Sequence, residues 1–217
     1  MGIIKQGILG GFRGTVGTVV GSSWRGKSIM RGKAQSIRNP RTQPQLDQRA
    51  KFVLVSNFIG RIKEATDIGY KNMAKGKSAY NAAFASVMKN AVMGTSPDFA
   101  IDYRNVAVAK GNLDNAPQMA VTSAQSGSIQ LSWSDNSGTG AALADDNVLA
   151  VAYNDELGEA VISTADAVRE DELLVLHTPA SWDGTNAYVY LAFYSADGKR
   201  VSNSVQLGAV TVGETRD

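Results

Sequence analysis

The sequence predicts an α+β chain: an N-terminal β-hairpin and a two-helix basic region, followed by a C-terminal β-sandwich. Three observations carry this reading. A glycine-rich segment with β-branched alternation opens the chain, two stretches with helical spacing follow, and seven short apolar runs separated by turn residues fill the rest. The change from one pattern to the other sets expected domains at 1–112 and 113–217.

The hairpin rests on GFRGTVGTVVGSSWRGKSIMRG. Nine glycines fall between Gly2 and Gly32, a density that marks tight turns or close backbone approach. Alternation over Thr15 to Val20 and over Trp24 to Met30 predicts two strands joined through Gly21-Ser22-Ser23. The polar and basic segment from Ala34 to Gln45, with Pro40 and Pro44, reads as an extended arm. Thr42 is placed to cap a helix with Pro44 in its first turn. That helix would run through QLDQRAKFVLVSNFIGRIKEAT with Leu46, Ala50, Val53, Phe58 and Ile62 on one face. A second helix fits KSAYNAAFASVMKNAVM, where Ala79, Ala83, Val87 and Ala91 allow close packing. Gly94, Ser96 and Pro97 end it, and FAIDYRNVAVAKG reads as a strand.

Beyond GNLDNAP the expected strands are MAVTSA, SIQLSW, NVLAVAYN, EAVIST, ELLVLHT, AYVYLAFYS and SNSVQLGAV. Seven strands over about 100 residues, with a central Trp133 and the pair Tyr188 and Tyr190, match the spacing of an immunoglobulin-like or fibronectin-like sandwich. Asp183-Gly184 and Asp197-Gly198 are hairpin signals.

Charge divides the chain more sharply than hydropathy does. Residues 1–110 hold 18 Lys/Arg against 5 Asp/Glu, and residues 111–217 hold 4 against 15, although the net charge of the whole is only +2. A split of this size suits a basic face that meets nucleic acid, an acidic partner or the acidic half of a neighbouring copy; two solvated faces are the plainer alternative. Zero Cys excludes disulfides, thiolate metal sites and cysteine nucleophiles together, and a single His excludes any site needing two. No apolar run reaches the roughly 18 residues of a membrane span, and MGIIKQGILGG lacks the form of a secretory signal. The expectation is a soluble chain made in the cytosol.

GSSWRGKS, Gly21 to Ser28, satisfies the phosphate-loop pattern G-x-x-x-x-G-K-[ST]. Such a loop works because it leaves a buried strand and enters a helix whose N-terminus faces the phosphates. IMRGKAQSIRNP, which follows Ser28, lacks the apolar stripe of such a helix, and Trp24 is awkward in a cradle. His177 has no G-x-S-x-G elbow to complete a hydrolase triad. The acid pairs Asp145-Asp146 and Asp155-Glu156 and the run Glu170-Asp171-Glu172 lack the spacing of a calcium loop and read as solvated turns. No catalytic residue, metal ligand or cofactor is assigned.

The better signal is the basic N-terminal run. Up to Leu46 there are eight cations and no acid: Lys5, Arg13, Arg25, Lys27, Arg31, Lys33, Arg38 and Arg41. With Trp24 they are the expected contact residues, either to a nucleic-acid backbone, with stacking from the ring, or to a neighbouring subunit.

GILGGFRGTVGTVVGSSWRG, NPRTQPQLDQRAKF, NAAFASVMKNAVMG, IDYRNVAVAKG and YSADGKRVSNSVQLG together resemble a family of unknown function from Bacteroidota, over nearly the whole chain. In that family the Gly-Ser-Ser-Trp-basic-Gly core recurs while the next two positions vary. The resemblance implies that Lys27-Ser28 completes the phosphate-loop pattern by chance and that the chain is one integral protein. It implies no activity. The expected function is a non-enzymatic, self-assembling structural protein, most concretely a phage or prophage virion component (capsid or tail) or filament subunit. The alternatives are a sequence-independent nucleic-acid-binding protein of the cytosol and, more remotely, a phosphate-loop enzyme.

Overall fold

The computed structural model describes residues 3–4, 10–24, 26–36, 41–74, 76–123 and 125–213. The chain forms two compact units, Met1–Thr42 and Gln43–Asp217. The helical segment thus belongs with the C-terminal strands, and the change in composition near residue 112 falls inside the larger unit.

The first unit is a four-stranded antiparallel sheet in chain order: β1 (Ile3–Ile4), β2 (Phe12–Val16), β3 (Val19–Trp24) and β4 (Lys27–Gly32). This corrects the expectation of one hairpin turning at Gly21-Ser22-Ser23. One turn lies at Gly17-Thr18, between the paired Val16 and Val19, and the next strand pair closes between the paired Trp24 and Lys27, with Gly26 in a turn. Gly17 (φ +57°) and Gly26 (φ +80°) sit in the left-handed region, where a side chain is strained. Gly21 has a different task inside β3. A Cβ there would fall 2.6 Å from a Phe12 ring carbon and nearer still to the Phe12 carbonyl oxygen, so glycine lets the ring lie on the strand.

The second unit opens with α1 (Gln43–Arg61), α2 (Lys63–Gly69) and α3 (Ala79–Asn90). Val55, Phe58, Ile59 and Ile62 form the buried stripe of α1 and its junction with α2, continued by Ala65, Thr66 and Gly69. The expected face is corrected in part: Phe58 and Ile62 are buried, whereas Leu46 and Val53 are 39% and 56% exposed and Ala50 is also exposed. Ser78 caps α3 by accepting from the Asn81 N–H at 3.1 Å, and Ala82, Ala83 and Val87 bury its inner side. The helix stops at Asn90, and the chain enters a hairpin of β5 (Val92–Thr95) and β6 (Asp98–Ile101). The long strand expected from Phe99 onward is therefore short. Asp102 ends it, accepting from the Arg104 N–H (3.1 Å) and the Asn105 amide (2.7 Å) around a 3₁₀ turn.

Seven strands follow: β7 (Ala120–Thr122), β8 (Ser128–Ser132), β9 (Asn147–Asn154), β10 (Glu159–Val168), β11 (Leu173–His177), β12 (Asn186–Tyr194) and β13 (Val205–Thr211). They form antiparallel sheets in the orders β10-β9-β12-β13 and β11-β8-β7. Ile129, Leu131, Trp133, Leu174 and Leu176 from the three-stranded side meet Val148, Ala150, Val189, Leu191 and Phe193 from the other. The opposite face of β9 and β12 presents Leu149, Val151, Tyr153 and Tyr190 to the helices, against Val55, Phe58, Ile59 and Ile62. Both faces of β9 are thus covered, which is why NVLAVAYN is apolar almost without interruption.

Candidate assembly and nucleic-acid interface

Strand register decides which basic residues of the first unit share a face. Across β3 and β4 the pairs Val20–Arg31, Ser22–Ile29 and Trp24–Lys27 point one way, and Val19–Gly32, Gly21–Met30 and Ser23–Ser28 point the other. Trp24, Lys27, Ile29 and Arg31 therefore line one face. Thr15 joins them through its pairing with Val20. Lys33 follows at the end of β4, where its N–H donates to the Thr18 carbonyl at 2.7 Å and extends the ladder. Arg13 is exposed on β2, paired with Ile3, and Arg41 is exposed two residues before α1. Lys5, Arg25 and Arg38 lie outside the described residues.

This sheet has almost no interior. Among its described residues only Gly21 is buried, while Trp24 is 59% exposed, Met30 70%, Val16 51% and Ile29 39%. Apolar groups stand exposed on both faces, and all six residues of β4 are exposed. A sheet of this kind gains little from burial, and among the described strands β4 forms its edge.

GSSWRGKS spans the end of β3, the turn and the start of β4. Ser28 continues into a strand rather than a helix, so no helix N-terminus follows it to face a phosphate. The hydroxyl of Ser28 lies against Gly11, where a Cβ would overlap it.

In the second unit the other candidates are placed apart. His177 is exposed at the end of β11, in register with Ser128. Asp155 and Glu156 sit in the β9–β10 turn. Asp171 accepts from the Val168 N–H at 2.7 Å and Glu172 from the Asp135 N–H at 2.7 Å. Asp146 is fully buried, 3.1 Å from Arg169, which is fully buried too. The guanidinium also donates to the Asn136 side chain (2.6 Å) and the Asp114 carbonyl (2.9 Å) and lies 4.2 Å from the centre of the Phe193 ring. This network escaped the sequence reading, yet a signal was present: Arg169 is the sole cation between Lys110 and Lys199. Also missed was the row Leu173, Val175 and His177, exposed along β11.

A cluster of phenols fills the space between helices and sheet. Tyr103 stacks on Tyr188 at 4.5 Å and lies 5.3 Å from Tyr153, and the Tyr190 hydroxyl donates to the Tyr103 carbonyl at 2.6 Å. Burial pushes the phenols of Tyr103, Tyr153 and Tyr190 up from their ordinary value. Their hydrogen bonds and ring contacts are those of a core.

No described helix is long and apolar enough to cross a membrane. No curated protein matches the chain. One similar solved structure is described as a computer-based redesign of a β-sandwich protein; it is 13% identical, with 49% of this chain and 96% of that chain covered and a TM-score of 0.34. A family model described as a family of unknown function, DUF6266, matches residues 11–208, nearly the whole length, and the chain belongs to that family.

Proposed function

We propose that the chain is a non-enzymatic structural subunit that self-assembles through its N-terminal sheet, most concretely as a phage or prophage virion component, capsid or tail, or as a filament subunit. The observation that supports this reading is the bare sheet itself. Its described strands leave Val16, Ile29 and Met30 51%, 39% and 70% exposed, apolar surface of the kind that copies bury against one another. The C-terminal strands, in the orders β11-β8-β7 and β10-β9-β12-β13, fit a fibronectin-like sandwich that would project as the outer domain. Light scattering across protein concentration and salt tests the reading: a mass of several chains is expected, and a strictly monomeric protein overturns it.

A second reading is favoured by the single face shared by Trp24, Lys27 and Arg31. Cations interleaved with an aromatic ring suit a nucleic-acid backbone read without sequence preference. Binding to mixed-sequence DNA or RNA should then fall steeply with salt, and the joint change of Lys27 and Arg31 to Ala should flatten the slope by about 2 in log–log terms. An unchanged slope removes this reading.

A further inference from the structure

We propose that β4 of one copy adds to the open edge of β11 in a second copy. The inference rests on the self-assembly reading above and names its contact. Among the described strands β11 pairs with β8 alone, and β10, the edge of the other sheet, pairs with β9 alone. Between these edges opens a cleft of about 580 Å³ lined by residues that include Ile162, Ser163, Asp166, Asp171, Leu173 and Val175.

The two edges differ in how they are protected. Strand β10 carries an irregularity between Thr164 and Val168, with Ala165 at φ +63°, which bends it away from regular pairing. Strand β11 runs in unbroken register with β8 over five pairs and contains no Lys, no Pro and no bulge. Leu173 and Val175 stand 44% and 41% exposed on it. A regular apolar edge lacking the usual safeguards is a template for one more strand.

Charge selects the occupant. Around the cleft Asp166, Glu170, Asp171 and Glu172 are exposed, and Arg169, the cation nearest in sequence, is buried against Asp146. The complementary edge is β4, exposed throughout, paired among the described strands with β3 alone and carrying Lys27 and Arg31 with Lys33 beyond. Antiparallel pairing with Ile29 opposite Val175 sets Arg31 opposite Leu173, the first residue of β11, and carries Lys33 toward the 3₁₀ turn Arg169–Asp171, where Asp171 is exposed. A parallel arrangement would carry Lys33 past His177 toward Pro179, away from the acids. Pairing of β4 with another β4 about Ile29 would set Lys27 against Arg31, and like charges directly opposite are destabilising.

The absence of cysteine makes the contact directly testable in the full-length protein. Ile29→Cys and Val175→Cys chains are mixed, oxidised mildly and run without reductant, with Ile29→Cys plus Met93→Cys as the control, Met93 being 51% exposed. Paired strands hold their Cβ atoms near disulfide distance, so the first mixture should give at least about tenfold more mixed dimer than the control. Lys33→Glu in the Ile29→Cys chain should lower that yield several-fold. Equal yields in the two mixtures, with a large mass by light scattering, overturn this docking and leave self-assembly standing. A monomeric protein with no mixed dimer overturns both.

Discussion

Trp24 stands directly opposite Lys27 in the antiparallel ladder of β3 and β4, so the indole and the ammonium share one face of the sheet. That pairing separates the sequence pattern from the chemistry it evokes. A lysine in a working phosphate loop reaches back over a ligand held at a helix N-terminus, whereas Lys27 begins an exposed strand. Mg-ATP or Mg-GTP should therefore leave the thermal midpoint unmoved. A site with a Kd of about 10 μM would add about 2.7 kcal/mol at 1 mM ligand, a shift that scanning fluorimetry resolves.

Gly21→Val should break the first unit and leave the second intact. The new side chain would collide with the Phe12 ring and carbonyl, so β2 and β3 cannot keep their pairing. Amide exchange in β2, β3 and β4 should lose its protection. Exchange in β9 and β12 should stay slow, because those strands belong to the other compact unit. Loss of assembly in the same variant would tie self-association to the sheet.

The strands of the C-terminal antiparallel sheets were legible because each carries its own alternation and its own turn signals. SIQLSW shows the inward pair Ile129 and Leu131, and NVLAVAYN is bounded by Asn at both ends of β9. The N-terminal unit was harder to read because glycine there does two jobs. Gly17 and Gly26 make turns while Gly21 clears space inside a strand, and one-letter spacing does not distinguish them. On α1 the sequence offers two apolar stripes at helical period, and only packing against Tyr153 and its sheet selects Val55, Phe58, Ile59 and Ile62 over Leu46 and Val53. Arg169 stood out in the sequence as a lone cation, but its partners Asp114, Asn136 and Asp146 come together only through the tertiary fold. As for the contact residues, Trp24, Lys27 and Arg31 could be grouped by type from sequence, but their common face needed the register of β3 on β4.

Arg169 and Asp146 provide a stability test unconnected with assembly. Both are fully buried, and the guanidinium ties Asp114 and Asn136 to the core at Phe193. Asp146→Asn leaves a buried cation short of its counter-charge and should lower stability by about 3–5 kcal/mol, read as an earlier urea midpoint with unchanged m-value. Changing the pair together to Leu and Met should recover part of that loss, since apolar groups of similar volume avoid the unpaired charge.

The phenol cluster predicts how the second unit fails in base. Burial raises the phenols of Tyr70, Tyr103, Tyr153 and Tyr190, with nearby Asp155 adding to the effect at Tyr103 and Tyr153. A phenol raised in the folded state keeps its proton where the unfolded chain has lost it. Its contribution to stability is complete below the unfolded value near 10 and is lost as pH rises through the higher folded value. Tyrosinate absorbance from these groups should then appear together with loss of the far-ultraviolet signal of the helices and sheets, rather than before it. Tyr103→Phe keeps the ring between Tyr153 and Tyr188 and removes one titrating group, so unfolding above pH about 10 should release about one proton fewer. Tyrosinate signal that develops fully while the protein remains folded would show the cluster open to solvent.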